Sequence, residues 1–127
     1  MQEKHLFEYA VIRVVPRVER EEFLNVGIIL YCRTKKYLDC IYKVDNSKLQ
    51  VLCPALDCGD VEGHLQSFEN ICRGSKDAGP IGSLELASRF RWLTATRSTI
   101  VQSSKVHPGF CKEPQETLQK LFQQLVL

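Results

Sequence analysis

The chain has 127 residues, of which 44% are hydrophobic and 25% charged, with a formal net charge of +2. That length gives one domain, residues 1–127, with a core large enough to fold without disulfide or metal staples. The weak positive balance gives no charge-based case for a nucleic-acid binder, and no apolar run reaches the roughly 18 residues that a membrane-spanning helix needs.

In chain order, Met1–Tyr9 lacks a basic region followed by an apolar core, so no secretory leader is expected and the cytoplasm is the expected location. Phe7–Val15 and Val26–Cys32 are short apolar runs rich in Val, Ile and Tyr, which predicts two strands. Both are apolar on both faces, which predicts that they are central. Strict alternation puts Phe7, Tyr9 and Val11 on one face of the first strand and Ala10, Ile12 and Val14 on the other. In the second strand it sets Val26, Ile28 and Leu30 against Ile29 and Tyr31. Arg13 falls on the Phe7 face. A guanidinium there needs an anionic partner, and Glu19 and Glu22 in the charged connection Pro16–Asn25 are the nearest candidates.

A polar turn, Arg33–Lys36, leads into a third strand, Tyr37–Val44, and the short connection predicts an antiparallel hairpin. Asp45–Ser47 reads as a turn or a helix cap, and Lys48–Leu52 as either helix or extended chain. After the breakers of Pro54–Gly59, Asp60 can cap a helix to Arg73 with Val61, Leu65, Phe68 and Cys72 on one stripe, and Gly74 supplies the stop. His64 falls off that stripe and reads as solvated. Gly74–Gly82 reads as a plain connector, with a mobile loop over a groove as its functional alternative. Ser83–Ala95 reads as helix from Leu86, Phe90 and Leu93, although Phe90 and Trp92 also alternate as in a strand. Arg89, Arg91 and Arg97 interleave with these aromatics, a pattern that can bind nucleic acid but more commonly marks one buried and one solvated helix face. Ser98–Ser103 predicts a fourth strand and Val106–Gly109 a turn. Pro114 opens a last helix with Leu118, Leu121, Phe122 and Leu125 on its apolar side. The expected fold is α+β: an antiparallel sheet of about four strands, with about three helices packed mainly on one face.

The six cysteines are expected to be free structural thiols. Cys53 and Cys58 are spaced too widely for a zinc knuckle and no second close pair follows, so no metal site and no cofactor are expected. There is no glycine-rich phosphate loop, zinc-protease motif, nucleophile elbow or kinase signature, so an enzyme is the less favoured reading. Gly27 stands alone at a strand start, where a bulge or a close backbone approach accounts for it. Polar residues of functional type gather in three places: Arg13, Arg17, Glu19, Arg20, Glu22 and Asn25 around the first connection; Arg97 and Ser98, with Ser103, about the fourth strand; and His107 before the last helix, where a solvated turn histidine is the plainer state.

The stretch from Tyr9 through Arg13, Pro16, Glu19, Arg20, Glu22, Phe23 and Asn25-Val26-Gly27 resembles the N-terminal signature of a bacterial family of unknown function, DUF3037. RFRWLTATRSTIVQSSKVHPG, Arg89–Gly109, and the LxxLFxxLV pattern of Leu118–Val126 are similar to its C-terminal signature. Thr96 stands where many relatives have proline. The resemblance implies a small bacterial cytoplasmic protein with no assigned activity. Relatives encoded beside HipA-like kinases imply a partner role in a toxin–antitoxin-like system. Two functional readings follow. In the first, a non-enzymatic binding or accessory protein docks through Arg13–Asn25, with Arg97–Gly109 beside it. In the second, a phosphate-directed enzyme or nucleic-acid-processing factor clamps an anion with Arg13, Arg20 and Arg97 while Glu22 or His107 handles a proton. The lack of any catalytic constellation favours the first.

Overall fold

The computed structural model describes residues 4–16, 22–54, 58–95 and 99–127. The two apolar runs are the strands β1 (His5–Val14) and β2 (Leu24–Cys32). They pair antiparallel, and β3 (Tyr37–Tyr42) pairs antiparallel with the far side of β2. The β2–β3 hairpin closes through Lys36 N–H to the Arg33 carbonyl at 3.1 Å. On its other side β1 carries two short strands end to end: β4 (Val101–Ser103) along its last residues and β5 (His107–Cys111) along its first. The order β3-β2-β1-β4, with β5 also on β1, makes β1 and β2 the central strands, as their two apolar faces require.

The helices are α1 (Asn46–Leu52), α2 (Cys58–Arg73), α3 (Leu86–Leu93) and α4 (Pro114–Leu125). Helices α1, α2 and α3 cover one sheet face, where Ala10, Ile12 and Val14 meet Leu49, Val61, Leu65, Phe68, Cys72 and Phe90. Helix α4 covers the other, with Leu118 against Phe7, Val11, Ile28 and Leu30. The fold is α+β, with most but not all helices on one face. The spacing-based stripe on α2 is buried as a unit, His64 is exposed, and α3 is helical with Phe90 and Leu93 buried and Arg91 outward.

Three details differ from the sequence reading and one resolves a choice it leaves open, each for a local reason. Lys48–Leu52, left open between helix and extended chain, is helical because the Asp45 carboxylate caps it, accepting from Ser47 N–H at 3.0 Å and Lys48 N–H at 3.2 Å, which satisfies two N–H groups with no partner inside the helix. Asp60 is not the cap of α2 but lies inside its first turn, where a carboxylate suits the helix dipole. Val106–Gly109 is not a turn: His107–Cys111 is strand, because the first half of β1 would otherwise have an unpaired edge. Val26 lies with Ile29 and Tyr31 rather than with Ile28 and Leu30. The cause is a β-bulge. Ile12 pairs with Gly27 but Arg13 pairs with Asn25, so Val26 is an extra residue in β2 and the faces swap beyond it.

The step from β4 to β5 is held by Ser104, a buried polar residue. Its hydroxyl accepts the Val11 N–H at 2.8 Å and donates to the Lys105 carbonyl at 2.9 Å, while its own N–H reaches the Val11 carbonyl at 2.9 Å. The side chain therefore satisfies a central-strand N–H where the ladder is interrupted. Ser104→Ala leaves that N–H without a partner in the interior. It is expected to lower the unfolding free energy by about 2 kcal/mol, read as a lower urea midpoint with an unchanged slope.

Candidate functional site

The bulge builds the most distinctive polar arrangement on the sheet. Without it, Asn25 would point to the α1–α3 face. With it, Asn25 stands opposite Arg13 on the α4 face. The Arg13 Nε–H donates to Asn25 Oδ1 at 3.4 Å, and Asn25 Nδ2 donates in turn to the Leu125 carbonyl of α4 at 3.3 Å. Two residues before Asn25, Phe23 faces the same way, and the Arg13 guanidinium lies 4.1 Å from its ring centroid, a cation–π contact. Arg13 is thus half-buried between an amide and an aromatic face, and the end of α4 is tied to the same rim.

The rim continues over the sheet edge to α1. Phe23, Leu24, Val51 and Leu52 line an apolar groove of about 400 Å³ bordered by Lys48. A second hollow shares Leu24 and Lys48 with it and extends past Asn25 and Lys43 to Val126 and Leu127. Phe23 is 47% exposed and Val51 84% exposed. Of the charged connection read from the sequence, Arg13, Glu22 and Asn25 are among the described residues here; the apolar side of the rim is not read from the sequence. Val51 belongs to a segment whose conformation the sequence leaves open, and only the helix brings it beside Phe23.

Of the residues singled out from sequence, Arg13 and Asn25 are in direct contact, and Glu22 precedes Phe23 at the same end of the sheet, half-buried. His107 is exposed on β5 opposite Tyr9, with ring centroids 5.3 Å apart. Tyr9 lies four residues back along β1 from Arg13, roughly 13 Å at the rise of an extended strand. Glu22 lies beyond Arg13 in the other direction, so this register does not bring Glu22 and His107 within the hydrogen-bond reach that shared proton transfer needs. Arg17, Glu19, Arg20, Arg97 and Ser98 lie outside the described residues. The Val15 N–H to Ile100 carbonyl bond at 2.7 Å brings the start of β4 to the same rim.

Fold and site together define a small α+β domain with an antiparallel sheet covered on both faces and an apolar rim with a charged border at one end of its central strands. The chain belongs to the family described as Protein of unknown function (DUF3037), which it matches over residues 9–126. No curated protein and no solved structure matches it. No helix among the described residues is long and apolar enough to cross a membrane.

Proposed function

We propose that this is a cytoplasmic bacterial binding or accessory protein that docks a partner protein on the Phe23–Val51 rim, and that the partner is a HipA-like kinase. What supports the reading is the groove itself. Phe23 and Val51 are exposed side by side over the partly buried Leu24 and Leu52. Contiguous exposed apolar surface with a polar border is the usual character of a protein-binding site. Lys43, Asp45 and Lys48 line the adjoining hollow, so the complementary segment presents an apolar anchor with polar flanks of both signs. Phosphate-directed chemistry has less support, because Arg13 already stacks on Phe23 and bonds Asn25.

Co-expression with a HipA-like kinase, followed by size-exclusion chromatography, tests this. The expected result is one co-eluting peak, and about tenfold or weaker affinity for Phe23→Asp and Val51→Asp. Both positions are exposed, so both variants should keep their stability to within about 0.5 kcal/mol. Two separate peaks at micromolar concentration, or a complex indifferent to both substitutions, would count against the rim as the docking surface.

A further inference from the structure

Away from the rim, four thiols meet in two pairs that their sequence positions do not announce. Cys32 and Cys111 face each other on the α4 side, and Cys40 of β3 and Cys72 near the end of α2 on the other. The pairs differ in their company. Cys32 and Cys111 are accompanied by the hydroxyls of Thr34 and Thr117. Cys40 and Cys72 are joined by a carboxylate: one ligand atom from each of Asp39, Cys40 and Cys72 lies within 4.8 Å of the other two.

We propose that Asp39, Cys40 and Cys72 form a binding site for a thiophilic divalent cation of the zinc type. Two sulfurs at about 2.3 Å and one carboxylate oxygen at about 2.0–2.2 Å from a tetrahedral ion sit roughly 3.3–3.8 Å from each other, so the three donors need to close by no more than about 1.5 Å. The carboxylate is already oriented. Its Oδ1 accepts the Cys40 N–H at 2.8 Å and faces the Arg73 guanidinium at 3.5 Å, which fixes the carboxylate beside the two thiols. Outer partners of this kind hold a metal ligand in place.

The donor charge and the access both suit an ion. Two thiolates and a carboxylate exceed a dication by one negative charge, which Arg73 balances from beside Asp39, with Lys36 and Arg89 also on the cleft wall. Binding converts two thiols to thiolates and releases two protons to solvent, with no redox change. A cleft of about 330 Å³ opens onto Asp39 and Cys72. Tyr37 lines the same cleft, and its buried hydroxyl has no hydrogen-bond partner. A water completing the tetrahedron from the cleft gives that hydroxyl a group to bond. Three protein ligands plus a water from an open cleft is the arrangement of a site that can exchange its fourth ligand.

The test is anaerobic titration of the reduced full chain with cobalt(II), following the thiolate-to-cobalt charge-transfer band and the visible bands of tetrahedral cobalt, with zinc as competitor. One equivalent is expected to bind, and zinc is expected to displace it. Cys72→Ser, which leaves at most the Cys40 thiolate on the metal, is expected to remove half of the charge-transfer band or more. Asp39→Asn, at a half-exposed position that should not endanger folding, is expected to keep the band but weaken affinity about tenfold or more. Cys111→Ser is expected to leave the titration unchanged. Absence of the band at stoichiometric cobalt, a band lost in Cys111→Ser, or unaltered affinity in Asp39→Asn would each overturn the assignment.

Discussion

Gly27→Val is expected to destabilise the protein by on the order of 4 kcal/mol, at the severe end for one substitution. A Cβ at this position would lie 2.5 Å from the Ile41 carbonyl oxygen and 2.7 Å from the Tyr42 Cβ. The obstacle is the backbone of β3, held in register by the β2–β3 ladder, so no side-chain rotation relieves it. Either β3 moves away and its hydrogen bonds lengthen, or β2 shifts and the bulge beside Gly27 is lost. The second outcome carries a functional consequence. The bulge is what turns Asn25 and Phe23 toward Arg13, so a variant that survives by shifting β2 loses the cation–π contact and the tie to α4. Urea unfolding measures the first effect, and partner affinity of the folded fraction measures the second. A Gly27→Val protein within about 1 kcal/mol of the parent would show that β3 does not approach as closely as described.

How much of this was legible beforehand divides along a physical line. Features set by local periodicity were readable: the two central strands, the hairpin through Arg33–Lys36, and the stripe of Val61, Leu65, Phe68 and Cys72 that α2 buries. Each follows from the repeat of side-chain direction along one element. What was not readable depends on insertions or on partners distant in sequence. A bulge changes the face of Val26 without changing any residue type, because alternation carries no mark of where a ladder slips. His107–Cys111 resembles a turn by its Pro108-Gly109 pair and becomes strand only because β1 offers it an edge. Gly109 fits there because a Cβ would meet the Phe7 ring at 2.6 Å, so a glycine that looks like a turn signal serves cross-strand packing.

The same division runs through the sites. The ionisable residues around Pro16–Asn25 stood out by composition, and Arg13 does sit at the rim. Its neighbours there, Asn25, Phe23 and the Leu125 carbonyl, are chosen by the bulge and by α4, not by proximity in sequence. The Asp39–Cys40–Cys72 cluster is harder still to foresee. Metal-binding cysteines betray themselves by close spacing, and Cys40 and Cys72 are brought together only when α2 lies down on β3. Burial and the neighbouring Asp39 charge push the Tyr37 hydroxyl up to about 12, and the hydrogen bond to Cys40, followed by burial, pushes the Cys72 thiol up. Both groups are therefore neutral at physiological pH unless a cation displaces the thiol proton.

Phe90→Ala is the other substitution expected to act strongly, with a loss of about 3–5 kcal/mol. Phe90 is 1% exposed and stacks on Tyr31 with ring centroids 5.4 Å apart. Helix α3 is only eight residues long and fully buries just Phe90 and Leu93, with Leu86 and Ala87 packed more shallowly, so Phe90 is the largest part of its hold on the sheet. Short helices owe their stability to such tertiary contacts rather than to intrinsic propensity. Against a total of roughly 5–15 kcal/mol for a domain of ordinary stability, the loss is a large share of what keeps the chain folded. Trp92, the one tryptophan in the sequence, lies two residues away and reports on α3 directly. If Phe90 anchors the whole domain, the fluorescence and far-ultraviolet circular-dichroism midpoints in urea fall together. If it anchors only α3, the fluorescence midpoint falls first and the cleft beside Leu86 and Arg89 loosens while the sheet persists. A midpoint equivalent to less than about 1 kcal/mol from the parent by both probes would mean that Phe90 does not fill the space between α3 and Tyr31.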